Sequence, residues 1–188
     1  MNRGNFMISI ILILGLLLYF NILMSSLEIL AIAGIITVVG YKYKNIFKKA
    51  WIYYVIAVIL TSLSVYFYDV GLFRYFTNGY LGYSFILVVM FCGVTPNKWG
   101  VTRNLKKNRG VFSILGFILI SSHAITHIFG LLGYINLFGI AAYVIMVPLT
   151  LISFRIIRKE INPKDWFRIQ KAAYLVYIVL FIHLLMIS

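Results

Sequence analysis

Three histidines, His123, His127 and His183, carry the chemistry that this sequence offers, and all three fall inside apolar runs rather than in loops. Nothing charged lies between Lys171 and the final Ser188, so His183 stands in a segment of hydrocarbon character. An ionisable ring in such a setting is costly, and it marks a functional site when the segment crosses a bilayer. His123 lies 14 residues beyond Arg109, about 21 Å along a helix. His183 lies 12 residues beyond Lys171, about 18 Å on the same rise. Both distances run outward from basic flanks, which predicts that the two rings reach one level, somewhat past the midplane. His127 follows one turn after His123 on the same helical face. Two imidazoles from different helices at one depth are what a bis-histidine haem needs.

Simpler roles compete for these rings. A histidine in a membrane segment can be held by a carbonyl or hydroxyl, and Ser121, Ser122 and Thr126 are near His123 and His127. The His123–His127 pair could form half of a zinc site, but no carboxylate or cysteine at that depth completes it. Cys92 is the chain's one cysteine, which excludes an intrachain disulfide framework.

The elements that must position the histidines follow from composition. Hydrophobic residues make up 63% of the chain and charged ones 11%, against about 25% charged in soluble domains. An all-α, polytopic membrane bundle of about seven helices is therefore expected, in contact with lipid and with no separate soluble domain. The predicted spans are Phe6–Met24, Leu27–Tyr41, Trp51–Tyr68, Gly79–Thr95, Gly110 to about Gly133, Asn136–Phe154 with a kink at Pro148, and Ala172–Ile187. The first two, parted by Ser25 and Ser26, read as a tight transmembrane hairpin within residues 1–45. Residues 50–188 form the remaining unit.

The net charge of +13 reflects topology rather than a nucleic-acid partner. Of 17 basic residues, 16 lie at the N-terminus (Arg3) or in the connections Lys42–Lys49, Pro96–Arg109 and Arg155–Lys171. By the positive-inside rule the N-terminus is cytoplasmic and the C-terminus outside. Trp51, Trp99 and Trp166 sit at the same basic boundary, as an interfacial belt would.

With the histidines placed, a family resemblance becomes visible over about Trp51–Ser188. The stretch RIIRKEINPKDWFRIQKAAY at 155–174, followed by His183, resembles the ferric-reductase-like transmembrane domain. The nearest likeness is to the haem-binding membrane subunits of the bacterial periplasmic methionine sulfoxide reductase system. Trp166, Tyr174 and His183 match that pattern, whereas Gln170 stands where the family has its first histidine. PLTLIS at 148–153, NGYLGY at 78–83 with GVTP at 93–96, and Arg109, Phe117 and His123 resemble further family segments. Ser113 replaces a usual glycine, the first hairpin is additional, and the family's final helix is absent.

The resemblance implies a bacterial inner-membrane cytochrome. One haem b would be held by His123 and His183, with His127 as the alternative to His123. Relatives with two haems, such as the NADPH oxidases, carry inner ligands at the positions of Arg109 and Gln170, so no second haem is expected here. The chain would be an electron-transfer subunit of an oxidoreductase rather than a complete enzyme. A flavin or quinone would bridge from a cytoplasmic flavin reductase or flavoprotein to the haem, and electrons would go on to an extracytoplasmic redox partner. The alternatives are a cofactor-less membrane scaffold or assembly subunit, and a small proton-coupled transporter. No carboxylate in a span interior favours the transporter.

Overall fold

The computed structural model describes residues 23–42, 49–130 and 136–187. Among them the chain is helical, with no strand. The α-helices are α1 (Leu23–Lys42), α2 (Ala50–Tyr66), α3 (Arg74–Thr77), α4 (Tyr80–Val94), α5 (Gly100–Ile128), α6 (Leu137–Leu151), α7 (Arg155–Glu160), α8 (Pro163–Gln170) and α9 (Ala173–Ile187). A 3-10 turn at Gly71–Phe73 leads into α3.

Among the described residues, two stretches are long and apolar enough to cross a membrane, Gly100–Ile128 and the α8–α9 stretch Pro163–Leu184. A third qualifies if the 3-10 turn with α3 and α4, bent by 41°, is taken as one span. Ala50–Tyr66 and Leu137–Leu151 are shorter apolar helices.

The centre of the bundle is α5, which packs against α4, α2, α1, α3 and α6. Its closest partner is α4, and small residues explain why. A Cβ placed on Gly82 would stand 2.5 Å from the Ile120 backbone nitrogen and 2.7 Å from its Cα. On the facing helix, a Cβ on Gly116 would come within 3.1 Å of Ile86 and Phe85 side-chain atoms. Glycines at both contact points let the two backbones approach, which is how helices gain dispersion contact where the hydrophobic effect is weak. The last helix, α9, packs chiefly on α6, and α6 in turn leans on α5. The buried residues Ile86, Ile120, Ala142, Met146, Val176 and Leu180 join α4, α5, α6 and α9 in one cluster.

Several boundaries differ from those the sequence suggests. Helix α1 already runs through Ser25 and Ser26, so the expected turn does not lie there. The first half of that hairpin, the interior of the Lys42–Lys49 connection and residues 131–135 lie outside the described residues. The expected loop Pro96–Arg109 is mostly helix, because α5 starts at Gly100. Lysine and arginine are good helix formers, and nothing after Gly100 interrupts them until the turn at Phe129–Gly130. The connection Arg155–Lys171 likewise holds two short helices, α7 and α8. Asn162 caps α8 by accepting from the Lys164 N–H, and Pro163 occupies its first turn, where a missing donor costs nothing. Pro148 lies inside α6, which ends three residues later at Leu151.

Candidate functional site

The three histidines converge at the end of α5 distant from its basic start. The ring centroids of His123 and His127 are 4.5 Å apart, and those of His123 and His183 are 6.3 Å apart. Helices α5 and α9 are not close backbone neighbours at this level, so the contact is made by the rings themselves. His183 is 9% exposed.

The turn between α3 and α4 fixes His123. Helix α3 stops at Thr77, where the Asn78 N–H bonds back to the Arg74 carbonyl and the Gly79 N–H to the Phe76 carbonyl. The last carbonyls of a helix lack intrahelical partners, and the Thr77 carbonyl accepts from His123 Nδ1 at 2.8 Å. A carbonyl can only accept, so Nδ1 carries the hydrogen and the neutral ring keeps its lone pair on Nε2. This is the tautomer and the outer-shell support typical of a metal-binding histidine.

Gly79 makes the turn possible. Its φ is +77°, and a Cβ there would come within 3.2 Å of His123 Cγ. Gly79→Ala is therefore expected to destabilise the protein by about 1–3 kcal/mol and to loosen the Thr77–His123 bond. Gly71→Ala is the matched control, since a Cβ at Gly71 meets nothing within 4 Å. Thermal unfolding of both variants in detergent checks this, and equal melting temperatures would refute it.

His183 is held differently. Its Nδ1 is buried and has no hydrogen-bond partner, a state that costs about 1–3 kcal/mol unless something else engages the ring. Gly139 on α6 opens the space for it, because a Cβ there would lie 2.7 Å from His183 Cε1 and 2.8 Å from Nδ1. The α6 backbone thus runs directly against the imidazole.

The hydroxyls near these rings in sequence are occupied elsewhere. Thr126 Oγ1 donates to the carbonyls of Ser122 and His123, at 2.9 and 3.0 Å. Ser122 donates to the Leu119 carbonyl and Ser121 to the Phe117 carbonyl. Tyr143 on α6 donates to Ser121 Oγ at 2.8 Å and stacks on Phe117 with ring centroids 5.0 Å apart. The partner of His123 is a carbonyl, as one sequence reading allowed, but it comes from a residue 46 positions away. Among the described residues no group of three or more His, Cys, Asp or Glu side chains could hold a metal ion.

Arg109 and Gln170 lie at the opposite, basic end. Gln170 Nε2 donates to Ser153 Oγ at 3.3 Å and to the Leu149 carbonyl at 3.5 Å. Arg109 and Gln170 both line a cavity of about 240 Å³ that does not extend to the histidines.

No family model, curated protein or solved structure matches this chain. The functional reading rests on the motif likeness and on the geometry just described.

The fit to a haem can be judged on the ligand atoms. Two imidazoles in line on one metal ion, each about 2 Å from it, place their ring centroids roughly 6 Å apart. His123 and His183 have that separation. Their planes cross at 71°, an angle open to such a pair because each plane need only contain the metal–nitrogen direction. His123 keeps its lone pair on Nε2, whereas the unsatisfied nitrogen of His183 is Nδ1, on the side of its ring that faces Gly139. Ring spacing and the open Nε2 of His123 are the features that suit a pair of ligands to one metal ion. Loading a macrocycle between them requires the surrounding helices to part.

Proposed function

We propose that this chain is a multi-pass membrane cytochrome of b type, with His123 and His183 as the axial ligands of a single haem. One observation supports it above the others. Rings from two separate helices stand 6.3 Å apart, and the Thr77 carbonyl holds His123 in the tautomer that presents Nε2. When bound, the haem supplies a one-electron carrier. With His123 and His183 both holding it, the group would serve electron transfer rather than oxygen binding.

The chain's own part is to hold the rings in place and keep the site apolar. The Thr77 carbonyl orients His123, Gly139 admits His183, and the Phe117–Tyr143 stack closes α6 onto α5 nearby. A seven-span bundle in a bacterial inner membrane, with the basic connections cytoplasmic, suits this role. Electrons would enter from a cytoplasmic flavin or quinol donor and leave toward an acceptor outside.

Absorption spectroscopy of the purified protein tests the proposal. The expected result is a low-spin b-haem spectrum with split α and β bands on dithionite reduction. A colourless protein from haem-replete cells would overturn it in favour of the cofactor-less scaffold. For that reading, Gln170 is a structural residue bonded to Ser153 rather than the relic of a ligand site.

A further inference from the structure

The cavity at the basic end has a charge pattern that the histidine site does not use. It lies between α4, α5, α6, α7, α8 and α9, and four cations line it: Lys106, Lys107 and Arg109 from α5, and Arg158 from α7. No carboxylate is among its lining residues. The acids nearest in sequence are engaged elsewhere or face away. Asp165 pairs with Arg168 at 3.5 Å, both largely exposed, and Glu160 is exposed on α7.

The polar wall is held in place. The Arg158 guanidinium lies 4.3 Å over the Trp166 ring, and Trp166 is itself pinned by its Nε1–H to the Ile152 carbonyl at 3.2 Å. Lys106 is bonded to Asn97 Oδ1 and the Thr95 carbonyl. Arg109 and Tyr177 both line the cavity. Farther in, the wall turns apolar, with Ile86, Val89, Met146 and Val176.

We propose that this cavity binds the headgroup of an anionic phospholipid, with its phosphate among Arg109, Lys107 and Arg158 and the start of an acyl chain along Ile86, Met146 and Val176. This goes beyond the electron-transfer reading and needs only its membrane setting. Lys106 and Arg109 are half-buried and Lys107 and Arg158 are exposed at the rim. This concentration of positive charge, with no carboxylate in the lining, favours an anion, and a planar guanidinium suits phosphate oxygens. The apolar inner wall disfavours a fully hydrated anion and favours one joined to hydrocarbon. At about 240 Å³ the space is below the roughly 300–1,000 Å³ that encloses a whole drug-sized ligand. It therefore takes a headgroup and a chain stub rather than a complete flavin. A zwitterionic headgroup would bring its own ammonium among the four cations, so the site selects for net negative charge. Basic residues at the level of lipid headgroups draw anionic lipid in the same sense.

The test uses the full chain in detergent, with phosphatidylglycerol, phosphatidylcholine or glycerol 3-phosphate added. Binding is read by native mass spectrometry and thermal shift. Phosphatidylglycerol should bind and raise the melting temperature, while the other two should not. Arg109→Gln with Lys107→Gln should weaken phosphatidylglycerol binding, about five-fold for each charge removed. Arg103→Gln with Lys171→Gln, which removes two charges outside the cavity, should change it little. Arg109→Lys keeps the charge and serves if the glutamine variant fails to fold; it should retain most of the binding.

Equal binding of phosphatidylcholine would overturn the proposal, as would equal losses in the cavity and control variants. Tight binding of glycerol 3-phosphate would replace the lipid with a soluble phosphate ligand. His183→Ala should leave lipid binding unchanged, which separates this site from the haem reading.

Discussion

Replacing His183 with alanine is expected to reduce haem content from stoichiometric to background, and His123→Ala should do the same. Each substitution removes one of two imidazoles whose centroids are 6.3 Å apart, and a b-type haem, unlike a c-type one, has no covalent tether to retain it. His127→Ala should keep the low-spin spectrum. The His127 ring is 4.5 Å from His123, but the Thr77 carbonyl orients His123. The reduced pyridine haemochrome gives the stoichiometry, and electron paramagnetic resonance gives the spin state. If His127→Ala loses the spectrum and His123→Ala keeps it, the ligand is His127. Full haem binding in His123→Ala/His127→Ala would remove α5 from the site and end the proposal.

His183→Leu separates the cytochrome from the scaffold by a different readout. In a protein without cofactor, the buried Nδ1 of His183 is an unpaired polar atom, and an apolar side chain of similar size should stabilise by about 1–3 kcal/mol. In a cytochrome the same change removes a ligand and the binding energy that comes with it. The melting temperature of haem-loaded protein should then fall. The two readings thus predict opposite signs.

Much of this was legible in the sequence, and the exceptions have physical causes. The segments expected at Trp51–Tyr68, Gly79–Thr95 and Ala172–Ile187 appear as helices within a few residues of those limits, because long apolar runs bounded by Pro, Gly or charge leave little choice. Counting helical rises from two basic flanks put His123 and His183 at a similar depth, and their ring centroids lie 6.3 Å apart. Boundaries in polar stretches were less visible. Residues 100–109 were read as loop because they are charged, yet charge does not oppose helix, and α5 simply continues through them. Thr77 and Gly139 could not be found from side-chain chemistry. One acts through its backbone carbonyl and the other through the absence of a Cβ. A glycine in a helical apolar run was the one available signal, and it says only that something comes close.

Gly82→Ala is expected to destabilise the bundle, against what helix propensity alone predicts. In a helix interior, replacing glycine with alanine stabilises by about 1 kcal/mol in water. At Gly82 the added Cβ would lie 2.5 Å from the Ile120 nitrogen and 2.7 Å from its Cα. Those are backbone atoms, which no rotamer change can move aside. The α4–α5 interface would have to separate, and overpacking of this kind costs about 1–3 kcal/mol or more. Gly34→Ala on α1 isolates the propensity effect, because a Cβ there meets nothing within 4 Å. The Gly34 variant should melt at or slightly above the parent temperature, and the Gly82 variant several degrees below it, at about 2–4 °C per kcal/mol. The consequence should reach the histidines, since Ile120 precedes His123 by one turn and α4 begins beside Gly79. Haem affinity should therefore fall in Gly82→Ala and stay unchanged in Gly34→Ala. Two variants of equal stability would mean that α4 and α5 are not in the close contact described, and with them would go the turn that holds His123.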